Sequence, residues 1–298
     1  MKAIIFPGQG TQYVGMGKSL YDNFKESKEI FNEIDGILNF SLSKKCFYGP
    51  EEDLKQTSLQ QLAILGVSLA AYNIFKKKNI KIDYLAGLSL GEYSCLYPAG
   101  VVSLFDLVKL VKVRAEAMQE AALINPSCMF AAIGIDKGTL EKMSKEENFY
   151  LANFNSSKQI VISLKREDRE RIKKIFEKKN IKVVELEVSG GFHSPFMEPV
   201  KKRLEKALES VEFKEAQVSI VSNVDALPHS RAQEIKDNLV KQLTSSVLWC
   251  QSMEYLIKKG VDTFFEIGPS KILKGLMRKI NSSVKVINIE KKEDLDNF

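Results

Sequence analysis

The sequence predicts an α/β protein in which a parallel sheet with flanking helices is interrupted by a smaller unit of order β-α-β-β-α-β. Three observations carry this. Short apolar runs punctuated by glycine and proline alternate with helix-period segments over residues 1–127. Six short, closely spaced elements follow over 128–189, and the larger α/β part resumes over 190–298. At 298 residues the chain has room for one large domain or two.

Taken in order, Lys2–Phe6 is an apolar run stopped by Pro7-Gly8-Gln9-Gly10, the pattern of a buried strand entering a tight turn whose backbone N–H groups are presented. Helical periodicity holds to about Asn79, with Leu59, Leu62, Ala63, Leu65, Gly66 and Leu69 spaced for a largely buried helix. Ile82–Leu88 reads as a second strand and Glu92–Ala99 as a helix stopped at Gly100. Ser103 with Asp106 three residues on resembles a capping box that opens a helix to about Leu123. Between Cys128 and Val188 the elements are strand Met129–Gly134, helix Lys137–Lys145, strands Tyr150–Phe154 and Ile160–Leu164, helix Arg166–Lys179 and strand Lys182–Val188. That is the order of a ferredoxin-like unit inserted in the larger part. Val218–Asn223, Thr263–Ile267 and Lys285–Ile289 are the remaining strand candidates, returning the chain to the large sheet.

Composition narrows the function. A hydrophobic share of 44% and a charged share of 28% are those of a folded globular chain. No apolar run approaches the ~20 residues of a membrane helix, and Pro7-Gly8 interrupts the N-terminal run before a signal peptide could form, so a cytoplasmic protein without membrane contact is expected. Cys46, Cys95, Cys128 and Cys250 are scattered, with no C-x-x-C pair and no clustering with the two histidines; reduced thiols are expected, not a zinc site or a disulfide framework. The net charge of +6 favours anionic partners. The basic runs (Lys76–Lys78, Lys173-Lys174, Lys178-Lys179, Lys201–Arg203) lie in helix-like segments mixed with acids. They read as solvated faces, and no nucleic-acid motif accompanies them.

Gly87-Leu88-Ser89-Leu90-Gly91 fits G-x-S-x-G where a predicted strand gives way to a predicted helix, the context of a nucleophile held on a sharp turn. The glycines leave room for the turn, and the free N–H of Leu90 at the helix start faces a developing oxyanion. A serine N-cap between two turn glycines would account for the motif equally. A serine nucleophile needs a base, and the chain has two histidines. His229 sits in a polar turn that explains it; His193, in Gly190-Gly191-Phe192-His193-Ser194-Pro195 after a strand, takes the role by elimination. Arg114 falls on the apolar stripe Leu104, Leu107, Val108, Val111, Ala115, Met118, Ala122 and therefore points with the buried face. A guanidinium there needs an acid or a bound anion. A substrate carboxylate held bidentately, an internal ion pair and a snorkelling side chain all satisfy that need.

Together these residues resemble the malonyl-CoA:acyl carrier protein transacylase family of bacterial fatty-acid synthesis over nearly the whole chain. The matching motifs are Phe6–Gln12, Gly87–Ser94, Val113-Arg114 with Met118–Ala121, Asn153–Ser156, Phe192–Ser194 and Glu266–Pro269. The resemblance implies an α/β-hydrolase-like large subdomain (1–127 and 190–298) carrying a ferredoxin-like small one (128–189), with the site between them. It implies Ser89 as nucleophile and His193 as base. Gln9 and Leu90 would be oxyanion donors through their backbone N–H groups, and Arg114 the clamp on the malonyl carboxylate. Malonyl-CoA and acyl carrier protein are the implied partners in a ping-pong reaction, with no metal or cofactor, malonyl-CoA being a substrate, and the family's default state is a monomer.

Two departures stand out: Leu88 where many members carry His before the nucleophile, and Leu248 before Trp249 where many carry Gln. The elbow glycines remain, so little loss is expected from Leu88, and the backbone carbonyl of residue 248 is expected to orient His193. A serine hydrolase, an acyltransferase for another extender unit and an inactive carrier-protein-binding module are the rival readings. Arg114 disfavours the first, and the intact Ser89, His193 and Arg114 set the last.

Overall fold

The computed structural model describes residues 1–296. Among these residues ten strands form two sheets: β1 Lys2–Phe6, β2 Tyr84–Gly87, β3 Ser127–Ile133, β4 Tyr150–Ser156, β5 Gln159–Lys165, β6 Lys182–Glu185, β7 Ile220–Val221, β8 Pro228–His229, β9 Thr263–Ile267 and β10 Lys285–Ile289. The first sheet has the order β10-β9-β1-β2-β7-β8 and is parallel except where β8 runs against β7. The second, β4-β5-β3-β6, is antiparallel throughout. The fold is thus mixed α/β, with a parallel sheet and a separate antiparallel one.

The central strand explains the layering. Successive side chains of a strand point to opposite faces, and β1 is apolar on both. Ile4 and Phe6 join the core built around the Thr57–Phe75 helix, while Ala3 and Ile5 join a second core with Trp249, Met253 and Met277 from the helices Trp249–Lys258 and Ile272–Ile280. Burial on both faces is why this strand reads as a continuous apolar run. The same alternation splits β3. Phe130 and Ala132 face the helices Lys137–Glu147 and Arg169–Lys178 of the antiparallel unit, whereas Met129 and Ala131 face the large core. The two units also meet through backbone. Phe154 N donates to Val247 O at 2.9 Å and Val247 N to Ala152 O at 2.8 Å, so the loop before Trp249 runs beside β4 as a further strand would.

Several expectations need adjusting. The Thr57–Lys78 segment is long and apolar enough to cross a membrane by length and composition, contrary to the expectation that no run approaches that length; it is a core helix whose most apolar 18-residue stretch is 83% buried. The Glu92–Ala99 helix is instead Leu90–Ser94, beginning directly after Ser89. Val218–Asn223 shortens to the two residues of β7, because Asn223 leaves the ladder: its N–H goes to the Glu92 carboxylate and its side chain to the chain around Ser89. The Ser103 cap forms as read, its hydroxyl accepting from Asp106 N, and opens the helix Leu104–Ile124.

Candidate active site

The β2 strand ends at Gly87, and the chain turns through Leu88 and Ser89 into the Leu90–Ser94 helix. Ser89 has φ 55° and ψ −105°, outside the regions L-residues prefer; such a conformation costs roughly 1–3 kcal/mol and persists only when its surroundings impose it. They do so here. A Cβ on Gly87 would collide with the Gly91 backbone, and one on Gly91 with the Phe6 carbonyl, so neither flanking position admits a side chain. Asn223 grips the turn from just beyond the end of β7. Its Oδ1 accepts from Ser89 N at 2.7 Å, and its Nδ2 donates to Gly87 O at 2.7 Å. Gln242 Nε2 donates to Ser89 O at 3.0 Å. Leu90 is the first helical residue, so its N–H has no partner within the helix.

His193, 4% exposed and also at positive φ (55°), places Nε2 2.7 Å from Ser89 Oγ. Its Nδ1 lies 2.9 Å from the Gln242 carbonyl oxygen. A carbonyl only accepts, so Nδ1 carries the proton and Nε2 offers a lone pair to the serine hydroxyl. Burial, reinforced by the Arg114 guanidinium, lowers the His193 pKa to about 4, which keeps the ring neutral at neutral pH. The orienting carbonyl is therefore that of Gln242 and not that of Leu248, which the family resemblance implied. Leu248 O accepts from the backbone N and hydroxyl of Ser252 at 2.9 and 2.8 Å as the Trp249 helix begins, while Gln242 closes the Ala232–Gln242 helix, where carbonyls lack helical partners. His229 lies apart, in β8, between Asp225 at 2.9 Å and Glu234 at 3.1 Å. Partial burial disfavours its proton, but the two carboxylates outweigh it and raise the pKa.

Arg114 is 1% exposed, which removes the snorkelling alternative. Among the described residues no Asp or Glu pairs with it, which removes the internal ion pair. Its guanidinium meets neutral oxygens: Nη1 donates to Gln61 Oε1 at 2.5 Å, and Nη2 to Gln242 Oε1 at 3.0 Å and Ser89 Oγ at 3.1 Å. The guanidinium carbon sits 4.8 Å from the centre of the Tyr93 ring, and Nε has no partner. Burial lowers its pKa, but guanidinium is too basic to lose its proton. The result is a desolvated positive charge beside the serine hydroxyl with donor capacity to spare.

Gln9 follows the β1 turn, which presses so close to the elbow that a Cβ on Gly8 would strike the Leu88 carbonyl. Its side chain is held by Gln60 and Gln61. A cavity of about 110 Å³ lies before Ser89, lined by Gln9, Leu88, Asn153, Asn155, Phe192 and His193 among others; a larger cavity of about 760 Å³ shares Gln9, Leu88 and Asn155 and runs past Tyr13 and Lys55. The structure thus gathers Ser89, His193 and Arg114 and sets Gln9 at the cavity wall. Leu90 adjoins through its backbone alone, its side chain being buried. Sequence reasoning missed Gln242, Asn223, Gln61 and the carboxyl of Glu92, which accepts from Gln242 Nε2 at 2.7 Å and Asn223 N at 3.1 Å. No group of three or more His, Cys, Asp or Glu among the described residues is placed to hold a metal ion, and the four cysteines are buried free thiols.

Chemically, a serine hydroxyl with an oriented neutral imidazole and a turn of backbone N–H groups suits acyl transfer through a covalent ester. Comparison with known proteins points the same way. Residues 3–293 match the family model of the acyl transferase domain. The malonyl CoA-acyl carrier protein transacylase of Bacillus subtilis (strain 168) is 40% identical over 300 residues, spanning 99% of this chain and 95% of that protein. The enzyme of that name from Staphylococcus aureus (strain MRSA252) is 38% identical over 302 residues, covering 98% and 96%. Among solved structures, an acyl carrier protein S-malonyltransferase from Vibrio cholerae superposes with a TM-score of 0.95 at 33% identity, covering 99% of each chain. A malonyl-transacylase in complex with its type II PKS acyl-carrier protein does so with 0.95 at 33% identity, covering 99% of this chain and 98% of that one.

Proposed function

Because this chain belongs to the acyl transferase domain family, we infer that it moves a malonyl group from malonyl-CoA to the phosphopantetheine thiol of acyl carrier protein, supplying fatty-acid synthesis. The observation that carries the substrate class is Arg114, a buried guanidinium 3.1 Å from Ser89 Oγ with no acidic partner among the described residues. It suits an acyl group that brings its own carboxylate, held by paired charge-assisted hydrogen bonds. A hydrolase of neutral esters would bear the cost of that buried charge for no gain.

In this reading His193 Nε2 takes the Ser89 proton as Oγ attacks the thioester carbonyl, while the Gln242 carbonyl holds Nδ1–H and steadies the forming imidazolium. The N–H groups of Leu90 and Gln9 receive the oxyanion. Collapse breaks the C–S bond, and the imidazolium returns the proton to the departing coenzyme A thiolate. In the second half-reaction the carrier-protein thiol gives its proton to His193 and attacks the malonyl ester; the Oγ–carbonyl bond breaks and the imidazolium returns the proton to Ser89 Oγ, which restores the free enzyme and makes the kinetics ping-pong. No step draws on a metal or redox cofactor.

The site lies where the β1 and β2 turns of the parallel sheet face β4, β5 and the β6 end of the antiparallel unit. We read the first unit as α/β-hydrolase-like and the second, by its strand order β4-β5-β3-β6, as ferredoxin-like. A cytoplasmic monomer without nucleic-acid or membrane partners completes the proposal. The net charge of +6 suits anionic coenzyme A and carrier protein.

The test is intact-protein mass spectrometry after separate mixing with malonyl-CoA, acetyl-CoA and a neutral nitrophenyl ester. A malonyl adduct on Ser89, formed faster than acetyl, discharged by carrier protein and missing in Ser89→Ala, is expected. Steady ester hydrolysis without a malonyl adduct would make the protein a hydrolase instead.

A further inference from the structure

One buried charge takes no part in the steps above. Glu92 is 2% exposed, on the first turn of the elbow helix, and its Oε2 accepts from Gln242 Nε2 at 2.7 Å. The other end of the same amide, Gln242 Oε1, accepts from Arg114 Nη2 at 3.0 Å. An amide oxygen only accepts and an amide NH₂ only donates, so the guanidinium and the carboxylate between them dictate how Gln242 is turned. They also sit on opposite ends of it, and no direct Arg114–Glu92 contact occupies the guanidinium donors. Asn223 N, donating to Glu92 Oε2 at 3.1 Å, fixes the carboxylate from a second side.

We propose that Glu92 determines acyl selectivity: it is a counter-charge held one amide away from Arg114, and it competes through Gln242 with the carboxylate of the incoming acyl group for the guanidinium. The inference rests on the reading of Arg114 given above. A direct ion pair would quench the clamp, and no acid at all would leave it uncompensated. The intermediate placement leaves Nη2 charged and beside Ser89, while the strength of its hold on an anion depends on the charge state of Glu92.

That charge changes in an accessible range. Burial raises the Glu92 carboxyl to about 7, against the opposing pull of the Gln242 and Asn223 donors, with Asp225 adding to the rise and Arg114 opposing it. Of the groups facing it, Arg114 stays charged, while Tyr93, pushed up to about 12, and Cys95, well above its ordinary range, stay neutral on the same helix. Asp225, after β7, is paired with His229, whose pKa its two carboxylate neighbours raise against partial burial and which is therefore controlled for below. His193, at about 4, stays neutral. Below neutrality Glu92 is protonated and Arg114 meets an acyl carboxylate uncontested; above it the ionised Glu92 competes. Preference for malonyl over acetyl therefore falls as pH rises. A unit charge at this remove, in the effective dielectric of a protein, changes the preference on the order of tenfold.

The experiment is internal competition. The full chain is mixed with malonyl-CoA and excess acetyl-CoA, quenched early at intervals from pH 5.5 to 8.5, and the ratio of the two Ser89 adducts is read by intact mass. Changes in His193, in coenzyme A ionisation or in the fraction folded act on both adducts and cancel. The wild-type ratio should fall roughly tenfold with a midpoint near 7, in a His229→Gln background as well. Glu92→Gln should hold the ratio at its low-pH level throughout, and Glu92→Asp, which keeps the charge, should restore the fall. A flat wild-type ratio, or an unchanged fall in Glu92→Gln, overturns the inference. Should Glu92→Gln fail to fold, the wild-type profile and Glu92→Asp decide. A flat ratio with an abundant malonyl adduct defeats the role of Glu92 alone; absence of the malonyl adduct defeats the proposed function with it.

Discussion

Replacing Arg114 by alanine separates a substrate clamp from a structural arginine. In the structure the guanidinium already spends Nη1 on Gln61 and shares Nη2 between Gln242 and Ser89 Oγ, while Nε is unpartnered. A malonyl carboxylate drawn to that edge would accept two charge-assisted hydrogen bonds, each contributing about 1.5–3 kcal/mol. Losing both costs about 3–6 kcal/mol of transition-state binding, or roughly 10²- to 10⁴-fold in kcat/KM at about 1.4 kcal/mol per decade. The substitution also strands the Gln61 and Gln242 side-chain oxygens at about 1–3 kcal/mol each and removes the bond to Ser89. Those losses fall equally on every acyl group, so the informative quantity is the ratio. Steady-state kcat/KM should be measured for malonyl-CoA and acetyl-CoA with the same carrier protein. A malonyl loss exceeding the acetyl loss by about a hundredfold is expected; equal losses, within about threefold, would refute the clamp and leave Arg114 a structural residue.

The remaining predictions concern the base and the elbow. His193→Ala should slow acylation on the order of a hundredfold or more, whereas His229→Ala, which removes a side chain held only by Asp225 and Glu234, should leave turnover nearly intact; the opposite ranking in a coenzyme A release assay would reverse the assignment. His193 must be neutral to act, and its pKa of about 4 lies below the ordinary imidazole value, so acetyl acylation by the wild type, which has no carboxylate for Arg114 to hold, should show no loss of base from pH 8 to 6 and fall only toward pH 4. A stopped-flow profile with a midpoint near 6.5 would show the ring to be solvated instead. Gly91→Ala drives a methyl into the Phe6 backbone carbonyl, which no side-chain movement can relieve, and should cost more than about 3 kcal/mol in a urea titration; a wild-type midpoint would mean that the elbow is not rigid.

What was legible in the sequence follows from which signals are local. The elbow is one: glycine, serine and glycine at fixed spacing after an apolar strand say how the backbone must bend. Arg114 is another, since a charge on a 3.6-residue apolar stripe declares its own burial. His193 emerged because only one competing histidine existed, and His229 had a simpler explanation. Gln242, Asn223 and Glu92 gave no such sign. Their significance lies in hydrogen bonds to distant residues: Asn223 and Gln242 reach Ser89, Arg114 and His193, and Glu92 reaches Asn223 and Gln242, across 128 residues or more except for the 49 between His193 and Gln242, which no local pattern encodes. The misplaced orienting carbonyl has the same origin. Residues 242 and 248 both lie near helix ends, and only the packed chain shows which carbonyl the following helix has already claimed. Strand ends erred where side chains displaced the ladder, as Asn223 does after β7.

The backbone pairing of β4 with the segment around Val247 bears on how this site measures its substrate. Two walls joined in the manner of neighbouring strands can part here only by breaking the Phe154–Val247 and Val247–Ala152 backbone hydrogen bonds, which favours a pocket of one shape, empty or filled. An acyl chain that is too bulky is turned away by a fixed contour, and a correct one gains nothing by provoking a change of shape. The pocket works as a gauge block does, by dimensions cut before the part is offered to it.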